Sequence, residues 1–151
     1  MNFMGKNNRF RERHSKNYKR GKKSLPLRKD GLKPKQCIVF SLRFLDKTQG
    51  ESPEIWENNK ILSKAINRFQ GLCSMTVVDA TQQQILKIYG TEIPKDSCFK
   101  HPKYLDEDIE WASIRIQGKE RIIGFLESGF VFHIVFFDME HDFFPSKKKN
   151  T

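Results

Sequence analysis

The sequence predicts an α+β domain, two helices packed on one face of an antiparallel sheet, with a disordered basic tail in front. Three observations carry this expectation. Residues 111–145 are cut by two turn signals, Gly118-Lys119 and Ser128-Gly129, into three β-rich runs. Apolar residues in the stretch 52–72 recur at helical spacing. The charge of the chain changes abruptly near Gln36.

That break sets the domain boundaries. The 151 residues carry a net charge of +10, but residues 1–35 hold 13 Lys/Arg against two Asp/Glu, and residues 36–146 are net acidic. Residues 1–35 show no apolar periodicity and offer too little apolar surface to offset the entropy of ordering, so they are expected to be disordered in isolation. Residues 36–146 are expected to form the folded domain, and 147–151 a short basic tail. Arg9, Arg11, Arg13, Lys19, Arg20, Lys22 and Lys23, with Lys147, Lys148 and Lys149 at the other end, are the candidate nucleic-acid contacts. Phe3, Phe10 and Tyr18 interleave with them, as phosphate contacts with occasional base stacking would require. A solvated solubility tail, or one that docks on an acidic partner, has the same composition.

Within the domain, Cys37 to Leu45 reads as a strand apolar on both faces, placed inside the sheet. Ser52 caps the first helix, Pro53 suits its first position, and Glu54 suits the positive end of its dipole. Ile55, Leu62, Ala65, Ile66, Phe69 and Leu72 form its apolar stripe, with Gly71 as the stop. A short extended piece, 75–78, leads to a second helix from a capping box at Asp79 and Gln82 to Gly90. Residues 91–109, with Pro94, Pro102 and the run Asp106-Glu107-Asp108, read as a long connection; such connections are commonly functional.

Taking both turns as two-residue loops pairs Trp111–Gln117 with Glu120–Glu127, and that run with Phe130–Phe137. Alternation then places Ala112, Ile114, Ile116, Ile123, Phe125, Phe132, Ile134 and Phe136 on one face, for the helices to cover. The other face is mixed. On it Ser113, Gly124 and His133 fall in one row, with a notch at Gly124 beside the imidazole. The plainer reading of His133 is a satisfied core histidine.

The candidate chemistry is metal-free RNA cleavage. It needs a base for the 2′-hydroxyl, a cation for the phosphorane charge and an acid for the leaving oxygen. Arg115 and Arg121 are candidate phosphate clamps. His141 or His133 is the candidate base or acid, because imidazole exchanges protons near neutral pH. Asp138, three residues before His141, is placed to orient it; a cap on the turn after the last strand would use the same two residues. The alternative is a non-catalytic RNA- or protein-binding module that uses the basic tail and the sheet face. Cys98 and His101 have metal-like spacing but no second pair, so neither a metal nor another cofactor is expected. Three cysteines without paired spacing point to a reduced, cytoplasmic protein. No run approaches transmembrane length, so no membrane partner is expected.

The strand Arg121 to Phe125, the apolar strand that follows it and the short polar end resemble the RelE/ParE toxin superfamily, and the ending through Asp138-x-x-His141-x-Phe-Phe-Pro145 is similar to small bacterial proteins of this general shape. The element order is similar over residues 37–145. Many members cut mRNA on the ribosome and others poison DNA gyrase. The resemblance implies a small toxin-like protein acting on RNA, an mRNA interferase with RNA or the ribosome and a cognate antitoxin protein as partners, with gyrase or DNA association as a further alternative. It also implies an arginine of this strand and polar residues near the C-terminus facing the RNA. Two features depart from the family: the acidic body, where RNA-cutting members are basic, and the long 91–109 connection.

Overall fold

β5, Val131–Asp138, is the organising element: it pairs on both sides and its residues enter both cores. The computed structural model describes residues 36–146, which belong to one compact unit that begins at Lys35. The basic segment 1–35 and Lys147, Lys148 and Lys149 lie outside the described residues, and with them every tail residue assigned above to nucleic acid. Among the described residues the chain runs β1 (Val39–Ser41), α1 (Pro53–Asn58), α2 (Leu62–Leu72), α3 (Val77–Gln82), β2 (Leu86–Gly90), β3 (Trp111–Arg115), β4 (Arg121–Glu127) and β5. The sheet order is β1-β5-β4-β3-β2. The fold is α+β, but the sheet is mixed: β1 runs parallel to β5, and the other pairs are antiparallel. β1 is a three-residue edge strand rather than an interior one, and Val39 is half exposed.

The expected first helix is two helices. Ser52 Oγ accepts the Ile55 N–H and Pro53 opens α1, as its sequence signals require. α1 then ends at Lys60, which takes a left-handed conformation (φ 60°) while Ile61 N–H donates to Trp56 O. That is a Schellman end built on a lysine instead of a glycine. α2 runs through Gly71, so the expected stop is not used. The next helix starts earlier than Asp79: Thr76 is the N-cap, and Asp79 is the third residue of its capping box. It ends at Gln84, again left-handed at φ 60°. The rest of the expected second helix is β2, an antiparallel edge strand against β3.

Both hairpins differ from the expected register by one residue. Ile116 N–H donates to Glu120 O, which leaves three loop residues, and Arg115 faces Arg121. Glu127 faces Val131, not Phe130. A bulge then inserts Val135, so that Gly124 faces Ile134 while Ile123 faces Phe136. One residue of slip moves a whole strand to the other face. Ile122, not Ile123, therefore joins Ala112, Ile114, Phe132 and Ile134 under the helices, with Trp56, Ala65 and Leu72 from above. Past the bulge, Phe136 and Phe137 enter opposite cores.

The second face is not an open mixed surface. Phe99 and Leu105 from the 91–109 connection and Phe143 from the C-terminal segment pack on Trp111, Ile123, Phe125, Val135 and Phe136. The long connection is a lid on a second apolar core. The expected row of Ser113, Gly124 and His133 is absent: Ser113 faces Ile123, Gly124 faces Ala112 and Ile134, and His133 faces Phe125. No notch opens at Gly124, because the His133 backbone fills the space where its Cβ would be.

Candidate functional site

One corner of the second face stays open. There a cleft of about 820 Å³ lies over β2, β3 and the start of β4. Arg115, Arg121, His141, Lys87 and Tyr89 line it, with Phe144 from the C-terminal segment. The strands place these residues directly. Asp138, Arg121 and Arg115 form one cross-strand row, and Lys87 pairs with Ser113 in the row beside it.

Two arginines directly opposite each other repel. Burial, and next the Arg115 guanidinium, push the Arg121 guanidinium below its ordinary range; Asp138 and Glu120 act the other way. Arg121 Nη1 donates to Gly118 O at 2.6 Å and to Glu120 O at 3.1 Å, so the hairpin loop aims the group. Arg115 Nε donates to Gln117 O at 3.3 Å. Neither guanidinium forms an ion pair among the described residues. These two guanidiniums line one cleft together with Asp96; a guanidinium without an ion-pair partner can receive an anion.

His141 enters the same cleft from the turn after β5. Its backbone is left-handed (φ 62°), an unusual conformation for a residue with a side chain. Asp138 holds that turn: its two carboxylate oxygens accept the N–H groups of Asp142 and Phe143, each at 2.9 Å. The Asp138 carboxylate therefore orients His141 through the backbone of the turn and not by a side-chain hydrogen bond. His141 Nδ1 is buried and has no hydrogen-bond partner among the described residues. Lys119 and Glu140 pair at 2.5 Å beside an adjoining hollow that Arg121 and His141 also line.

Burial pushes the Asp138 carboxyl above its ordinary 3.8, against the two backbone donors and His141, which pull it down. A carboxyl raised on folding binds its proton more tightly in the native state. Its contribution to stability is complete below the unfolded value and is lost as pH rises through the raised one. A carboxyl-carbon NMR titration is expected to place its midpoint above 3.8. A midpoint at or below that value would show that the backbone donors outweigh burial.

The structure thus brings Arg115, Arg121 and His141 into one cleft, with Asp138 buried beneath it. His133 is elsewhere. It faces Phe125, packs edge-on to Phe44 at 4.9 Å between ring centroids, and bonds Glu127 Oε2 at 2.7 Å. The chain matches no family model, no curated protein and no solved structure. Lys87, Tyr89 and Phe144 were invisible to sequence reasoning as site residues. The sequence reads as helix across β2, and Phe144 reads like any other phenylalanine. The alternation Leu86-Lys-Ile-Tyr before Gly90 was the one signal that a strand lay there.

Proposed function

We propose that this protein acts on RNA, as a small toxin-like protein whose cleft clamps a phosphodiester between Arg115 and Arg121. The observation that supports the reading best is the cross-strand pair of arginines, unpaired and facing one cleft with an imidazole. In the catalytic form of this reading His141 takes the proton of a 2′-hydroxyl. The 2′-oxygen bonds to phosphorus while the bond to the 5′-oxygen breaks. That oxygen leaves with a proton from the imidazolium or from water, and the products are a 2′,3′-cyclic phosphate and a 5′-hydroxyl. The two guanidiniums stabilise the charge that grows on the non-bridging oxygens. Ribosome-bound mRNA is the substrate this reading favours.

A non-catalytic RNA-binding module is the second reading. One observation favours it: Asp138 spends both oxygens on backbone N–H groups, so no carboxylate polarises His141 directly.

The experiment separates them. Arg121→Ala should keep the fold, because it relieves a like-charge pair worth at most about 1 kcal/mol. It should lose RNA binding and growth arrest on induced expression. His141→Ala should retain RNA binding and lower cleavage about a hundredfold or more if the site is catalytic. Wild-type protein that binds RNA through the arginines but leaves it intact supports the module. Binding and growth arrest that survive loss of both arginines would overturn the cleft as the RNA site.

A further inference from the structure

Tyr89 and Phe144 lie face to face in the cleft, with ring centroids 3.4 Å apart and planes 12° from parallel. Tyr89 remains 37% exposed. One face of its ring is taken by Phe144. Over the ring sits the Lys87 ammonium, 4.9 Å from the centroid. A long flexible lysine thus occupies the electron-rich surface that a planar base would use. Phe144 is itself held edge-on by Phe143, at 4.6 Å and 67°, and Phe143 is fully buried in the second core. The aromatic pair is therefore anchored, not a loose surface ring. Lys87, Tyr89 and Phe144 line the same cleft as Arg115 and Arg121.

We propose that Tyr89, backed by Phe144, is a nucleobase-stacking subsite, so that the cleft takes single-stranded RNA. The proposal rests on the reading of the arginine pair as an RNA phosphate clamp. A base entering the subsite displaces the Lys87 ammonium, which swings onto a neighbouring phosphate and keeps its charge satisfied. Stacking uses the π-face that every base has, so the subsite selects strandedness over sequence. Bases inside a duplex are already stacked on one another and do not reach it.

The test uses the full chain and three probes: a short single-stranded RNA, the same length of abasic ribose-phosphate strand, and the corresponding RNA duplex. Single-stranded RNA should bind about tenfold more tightly than the abasic strand, the scale of one base–aromatic stack. Tyr89→Leu, which keeps an apolar side chain but no aromatic face, should remove that difference. Tyr89→Phe should restore it. A 2-aminopurine base in the RNA should be quenched on binding to the wild type, a readout that needs no variant. If the wild type binds the abasic strand as tightly as RNA without quenching, the stacking subsite is overturned, and the phosphate clamp stands if Arg121→Ala still abolishes binding. If no probe depends on Arg115 or Arg121, the clamp fails and the subsite fails with it.

Discussion

Gly124→Ala is expected to unfold the domain or to cost more than about 4 kcal/mol, at the extreme of single-substitution effects. A Cβ at this position would lie 2.9 Å from the His133 carbonyl carbon, in contact with its oxygen, and 2.8 Å from the Phe132 ring. The obstacle is backbone, which cannot rotate away as a side chain can. β4 and β5 approach this closely beside the bulge at Val135. Separating them would break the pairing at the centre of the sheet, where β5 meets both β4 and β1. Denaturant unfolding and far-ultraviolet circular dichroism measure the effect. A variant with the wild-type midpoint would mean that the strands do not approach as described.

Phe136→Ala is expected to cost about 3–5 kcal/mol. The ring is fully buried, with Phe99, Trp111 and Phe143 around it at centroid distances of 4.8, 5.8 and 5.8 Å. Two-residue loops would set Phe136 opposite Arg121; the observed register sets it opposite Ile123, in the second core. Its removal leaves a cavity beneath the 91–109 lid and the segment that carries His141. The variant should therefore lose RNA binding along with stability, whereas Phe132→Ala, which empties the helix-side core, should cost a similar amount of stability and disturb the cleft less. Urea midpoints paired with binding measurements separate the two. Near-neutral results for both would contradict the assignment of faces.

The order of helices and strands was only partly legible, and the misses share a cause. Glycine enters the left-handed region without steric penalty, so glycines are the helix-end signals that a sequence offers. This chain ends α1 at Lys60 and α3 at Gln84, both left-handed with side chains, and runs α2 through Gly71. Lys60 and Gln84 tolerate the conformation because the Schellman hydrogen bonds of Ile61 and Ile85 close each end. Of the candidate residues, Arg115, Arg121 and His141 line one cleft, while His133 lies buried opposite Phe125.

What the sequence determined by itself was local. It set the α+β class, the two turns of the final meander, the Ser52 cap with Pro53, and the strand character of residues 111–137. What the tertiary structure decided was register and, through it, which residues meet. Ile122-Ile123 and Val135-Phe136-Phe137 are apolar in succession, so alternation alone fits either face. The choice fell to long-range contacts. Phe99, Leu105 and Phe143 supply a second core that accepts Ile123 and Phe136. The three-residue loops and the bulge beside Gly124 then bring Arg115, Arg121 and Asp138 into one row. A strand's side chains repeat every two residues, so a shift of one residue costs nothing in local preference and changes every partner. Only the packing of both faces at once resolves it.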